Sequence, residues 1–142
     1  MTLMKLEAPS CMDDAQLLDE LYRRHHQGVF RTCMKFAAGD REWAMDRCQE
    51  TFVTLAERLS RLKARDDLGG WLYRVGVNTC LMALRRERGW RKVAATLLGS
   101  NTQSPRSPEV EARARRDVLR LERTLRTLPP KQCALMILMH LD

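Results

Sequence analysis

The chain has 142 residues, 25 of them Lys or Arg against 18 Asp or Glu, with a formal net charge of +7 and 44% hydrophobic residues. That length holds one ordinary domain, or one small domain and part of another, and can bury a core without disulfides. The apolar fraction excludes a disordered chain. No apolar run approaches the ~20 residues that span a bilayer, and residues 1–10 lack the apolar stretch of a secretory signal. The expectation is a cytoplasmic protein with no membrane insertion. The basic balance suits a polyanionic partner without saying which.

Taken in chain order, the pattern predicts helices throughout, because nothing alternates apolar and polar long enough for a strand. The first helix spans about 13–38, carrying Leu18, Leu21, Tyr22, His25, Val29, Cys33 and Phe36 at three- and four-residue steps. Gly39 breaks it, and Asp40 is placed to cap the next helix. The second helix spans about 41–64. Its apolar series is Met45, Cys48, Phe52, Leu55, Leu59 and Leu62, one sector at 100° per residue. Asp46, Gln49, Glu50, Val53 and Glu57 fall opposite, and Arg58, Arg61, Lys63 and Arg65 make the far end basic.

After a break at 66–70, a third helix is predicted over about 68–88. Leu72, Tyr73, Gly76, Thr79, Cys80, Ala83 and Leu84 share one face, and Trp71, Arg74, Asn78, Met82 and Arg85 the other. From Trp71 to Lys92 six bases oppose one acid, a local +5. From Gly39 to Glu57 five acids oppose two bases, a local −3. Residues 99–107 are linker-like. Ser107-Pro108-Glu109 starts a fourth helix, reaching about 127. Pro129-Pro130 ends it and starts a fifth over 131–141, so apolar that it needs a surface to cover it.

Five cysteines (Cys11, Cys33, Cys48, Cys80, Cys133), an odd number without a C-x-x-C pair, argue against a disulfide framework or a zinc site. His25, His26 and Cys33 share a helix face only loosely, and the expectation is reduced, buried thiols. There is no phosphate loop, H-E-x-x-H or G-x-S-x-G, so the sequence predicts no catalytic residues, no metal and no cofactor. The adjacent carboxylates Asp13-Asp14 and Asp66-Asp67 suit capping and solvation. Asp46 and Glu50 repel mildly at i, i+4. That strip is either a solvated face or a surface whose cationic partner removes the repulsion. The outer face of the third helix is likewise open to two readings. Either Trp71 packs in the core and the arginines solubilise the helix, or the face binds nucleic acid. In the second case Arg and Lys neutralise phosphates, Asn reads base edges and Trp stacks on a base. The Arg113–Arg126 stretch, interrupted by Asp117 and Glu122, reads as a solvated face.

Three motifs carry a resemblance. Gly39-Asp40-Arg41-Glu42-Trp43-Ala44-Met45-Asp46-Arg47-Cys48-Gln49-Glu50-Thr51-Phe52 resembles the G-D-x-E-x-A-x-D-x-x-Q-E-T-F stretch of bacterial sigma factors of the extracytoplasmic-function class. Trp71-Leu72-Tyr73-Arg74-Val75-Gly76-Val77-Asn78, followed by Leu84-Arg85-Arg86, is similar to that family's W-L-Y-R-I-A-x-N…L-R-R. Leu121-Glu122-Arg123 through Leu128-Pro129-Pro130-Lys131-Gln132 looks like the start of its second helical domain. The resemblance covers about Leu17 to the end. Arg47-Cys48 departs from it where two aliphatic residues are usual, and Met82 where Asp is common.

The resemblance implies an all-α protein that is not an enzyme. It divides the chain into a compact region-two domain over 13–95, a linker over 96–107 and an incomplete start of a region-four domain over 108–142, its helix-turn-helix absent. It implies that Asp46, Gln49, Glu50 and Val53 dock on the clamp helices of the largest subunit of core RNA polymerase. It also implies that Lys63, Arg65, Trp71, Arg74, Asn78, Arg85, Arg86, Arg88 and Lys92 bind promoter DNA, above all the non-template −10 strand. One base of that strand would be flipped out near the 66–70 loop. An anti-sigma factor is a further expected partner. The alternative is a sigma-like interaction protein that occupies core polymerase or an anti-sigma factor without initiating transcription.

Overall fold

Short polar side chains set where the helices begin. In a computed structural model describing residues 13–87, 89–99 and 107–140, α1 (Asp14–Phe36) opens with Gln16 Oε1 accepting from the Asp13 backbone N–H at 3.3 Å. Ala38 and Gly39, at φ 51° and 89°, then turn the chain through the left-handed region. Asp40 Oδ1 accepts from Trp43 N at 3.0 Å and starts α2 (Arg41–Leu62), as its position predicts. α3 spans Leu68–Glu87, ending one residue before the expected boundary. Ser107 Oγ accepts from Val110 N at 3.3 Å to open α5 (Pro108–Thr127), and α6 (Pro130–His140) begins at the second proline. The described residues form an all-α fold, as the sequence predicts.

The first three helices pack on one another and hold the core: Val29, Cys33 and Phe36 from α1, Ala44, Leu55 and Leu59 from α2, and Leu72, Cys80 and Ala83 from α3 are buried. Their approach is close. A Cβ at Gly28 would collide with the Tyr73 hydroxyl, so the glycine on α1 makes the berth for an aromatic side chain of α3.

Two apolar side chains lie further out than the pattern predicts. Met45 is 47% exposed and Tyr22 46%. On α2 the inward positions are taken by Ala44, Cys48 and Thr51, all buried, which leaves Met45 at the edge of the sector. Tyr22 stacks on His26 at 4.7 Å and meets Phe52 edge-on at 4.9 Å, so one face of its ring stays in solvent.

A further helix, α4 (Trp90–Leu97), was not expected. It is only eight residues long and follows Gly89, yet Trp90, Val93, Ala94 and Leu97 have helical spacing, and the first three are buried. Its partner is α5, whose Val118, Glu122 and Leu125 are buried. Most of the arginines between 113 and 126 are exposed, as expected, but Glu122 is not a solvated residue: it is 7% exposed. Arg91 Nε reaches its carboxylate at 3.3 Å and Arg126 Nη2 at 3.0 Å, so two guanidinium groups satisfy one buried charge. α6 finds part of the cover its composition demands against α1 and α3, burying Cys133, Ala134 and Ile137 while Leu135 and Met139 stay exposed. Among the described residues no helix is long and apolar enough to cross a membrane.

Cys33, Cys48, Cys80 and Cys133 are free and buried, and Cys11 lies outside the described residues. Burial pushes the Cys48 and Cys133 thiols up to about 11. A hydrogen bond between Cys33 and Cys80 lowers the first and raises the second.

Gly76, unlike Gly28, has room. A Cβ there would lie 3.5 Å from Val29 Cγ1 and 3.7 Å from Thr51 Oγ1, ordinary van der Waals distances inside a helix. Gly76→Ala is therefore expected to raise the unfolding free energy by about 0.5–1 kcal/mol in urea melts, the helix-propensity gain over glycine. Destabilisation would mean that the core cannot yield the space.

Candidate functional site

The outer face of α2 gathers the four residues that the sequence singles out for docking. Asp46, Gln49, Glu50 and Val53 line one shallow groove of about 490 Å³ with Arg47 and Thr54. Asp46 and Gln49 are exposed, Glu50 is half-buried, and Val53 offers an apolar side chain that is 56% exposed. The groove combines carboxylates, an amide and one aliphatic side chain, which suits a basic surface with an apolar feature. Met45 borders the neighbouring hollow with Tyr22, His26, Phe30 and Arg41, the Arg41 guanidinium lying 5.0 Å above the Phe30 ring.

The outer face of α3 carries the opposite charge. Arg74, Asn78, Arg85 and Arg86 are exposed along it, with Met82 57% exposed between them. Trp71 is half-buried and packs against the core while part of it stays at the surface. Three of the expected DNA-binding cations already have carboxylate partners: Lys63 meets Asp14 at 3.3 Å, and Arg65 and Arg74 meet Asp67 at 3.1 and 3.0 Å. The Arg65 hydrogen bond, with help from Arg74, holds the Asp67 carboxyl below its ordinary value. Among the described residues no ion pair forms at Arg85, Arg86 or Lys92.

The bases between Trp71 and Lys92 do not form one row. α3 ends at Glu87, and Lys92 stands on α4, lining a cleft of about 630 Å³ with Asp40, Trp43, Glu122 and Arg126. Arg88 lies outside the described residues. The fold instead brings in a residue that the sequence pattern did not point to. Lys131 of α6 lines a groove of about 480 Å³ with Arg74 and Asn78, between walls made by Val77, Leu81, Ala134, Leu135 and Leu138. The signal for it was present in the apolar character of α6, which had to seek a surface.

Residues 21–90 match the sigma-70 region 2 family. The chain thus carries a sigma-70 region 2 domain and is similar to sigma factors of the extracytoplasmic-function class. It is 26% identical over 133 residues to "ECF RNA polymerase sigma factor SigM" of Mycobacterium tuberculosis, in two strains of that organism. Each alignment covers 94% of this chain and 64% of the relative, so the chain spans a little under two thirds of the relatives' length. No solved structure matches the chain.

Against the pattern of that class, Arg47 is the unusual residue in the α2 motif. It is nearly buried, its guanidinium lies 5.4 Å above the Trp43 ring, and its Nη2 meets Glu50 Oε1 at 3.1 Å. The alkyl stem thus fills the place of an aliphatic side chain while the head reaches out to a residue of the groove. Packing, more than pairing, should set its worth. In urea melts Arg47→Ala is expected to cost about 2 kcal/mol, and Arg47→Leu, which restores the volume, less than about 1 kcal/mol.

Proposed function

We propose that this chain acts as a sigma factor that directs core RNA polymerase to promoters, docking on the polymerase clamp through α2 and engaging the non-template −10 strand through α3. The observation that carries the reading is the separation of charge on one helical bundle. The acidic groove of α2 and the exposed Arg74, Asn78, Arg85 and Arg86 of α3 stand on different faces of helices that share a core. A protein that joins a basic protein surface to a polyanion needs that arrangement. In this reading residues 13–95 belong to the region-two unit, 96–107 to the connection and 108–142 to region four. An anti-sigma factor would act by covering either face.

The reading requires binding and no bond-breaking. Arg and Lys neutralise phosphates, the Asn78 amide reads a base edge, and the exposed part of Trp71 stacks beside the 66–70 loop. Melting is then a matter of exchange: a base gives up stacking and pairing within the duplex and takes stacking and hydrogen bonds from protein instead. Promoter-specific transcripts from the full chain with core polymerase test the whole proposal, and a chain that binds polymerase yet yields none would refute initiation.

Two variants test the faces separately. Asp46→Arg with Glu50→Arg should abolish retention by core polymerase with an unchanged far-UV circular dichroism spectrum, and undiminished retention would overturn the α2 assignment. Arg85→Ala with Arg86→Ala should weaken binding to a single-stranded oligonucleotide. The same variant should flatten the salt dependence by about 0.7 in log–log slope for each phosphate no longer neutralised. An unchanged slope would remove these two residues from the DNA face.

A further inference from the structure

Of the cations expected to meet DNA, those nearest the 66–70 loop are held by the protein itself. Asp67 Oδ1 accepts from Arg65 Nε at 3.1 Å, and Asp67 Oδ2 accepts from Arg65 Nη2 at 3.4 Å and Arg74 Nη2 at 3.0 Å. The Arg65 fork thus grips both carboxylate oxygens, the geometry in which a guanidinium also takes two oxygens of a phosphate. All three side chains are open to solvent, so an incoming polyanion reaches the cluster without unfolding anything.

We propose that Asp67 is an internal competitor for DNA, occupying Arg65 and Arg74 in the free protein and yielding them to backbone phosphates when the strand binds. The inference rests on the reading of α3 as the DNA face and adds a regulation of that face. Exposed ion pairs are weak, so the carboxylate is readily exchanged once several phosphates arrive together. An isolated monovalent anion has no such advantage. The displaced carboxylate also has a second position available. Asp67 directly precedes α3, its carbonyl accepts from Trp71 N at 2.9 Å, and Asp at such a position ordinarily accepts from the N–H groups of the first turn. In the free protein its side chain faces the two arginines; after exchange it can cap the helix.

The exchange alters the ion count. With Asp67 in place, each strand that binds leaves a freed carboxylate, which attracts a cation and offsets part of the counterion release from DNA. Asp67→Asn removes the competitor while keeping the size and capping ability of the side chain. Fluorescence anisotropy of the full chain with a labelled single-stranded oligonucleotide, repeated across salt concentrations, reads the result. The Asn variant is expected to bind about fivefold more tightly at low salt, with a steeper salt dependence. The gain should vanish when Arg65→Ala and Arg74→Ala are also present. Equal or weaker binding by Asp67→Asn overturns the proposal, and so does a gain that survives without the two arginines, because that is simple removal of a negative charge. The underlying reading fails differently: Arg65→Ala with Arg74→Ala, and separately Arg85→Ala with Arg86→Ala, would then leave DNA binding at the wild-type level.

Discussion

Everything else in this molecule depends on how closely α1 and α3 approach. Tyr73 can lie against α1 only because position 28 has no side chain. Close packing of this kind fixes the rotation of each helix about its axis, since a turn of even a few tens of degrees would drive Cβ atoms together. Rotation decides which residues face outward. The acidic groove of α2 and the basic row of α3 are therefore consequences of interior fit as much as of surface composition.

The charges themselves are sorted at two scales. Across the bundle, the exposed carboxylates of the α2 groove stand apart from the exposed arginines of α3. Within each face, smaller pairings adjust what is presented: Arg47 holds Glu50 from beneath, Asp67 engages two arginines, and Asp14 engages Lys63. The exposed pairs among these contribute little to folding. Their effect is on which groups meet a partner already neutralised and which meet it bare.

Much of this was legible in the sequence. The 3.6-residue period located five of the six described helices, Asp40 and Ser107 marked two starts, and the acidic strip of α2 closed into a single groove with all four named residues on it. What escaped were features that depend on tertiary neighbours. Periodicity places Met45 inside the apolar sector, but only the positions of Ala44, Cys48 and Thr51 against the bundle show that the inner places are filled. Glu122 looks like one more interruption in a basic stretch until α4 brings Arg91 to it from 31 residues away. α4 itself leaves little trace in the sequence, because eight residues give barely two turns of pattern. Lys131 acquired its neighbours only when α6 lay down beside α3.

That last packing ties the end of the described chain to the proposed DNA face. Ala134, Leu135 and Leu138 share a groove with Arg74 and Asn78, so α6 and any ligand of that groove occupy adjoining ground. Thermodynamic reciprocity then leaves one quantity for both: whatever free energy the seating of α6 adds to or subtracts from ligand affinity, the ligand returns in equal measure to the seating of α6. The helix whose apolar sequence asks for a covering surface is, by its position, coupled to any ligand of that groove.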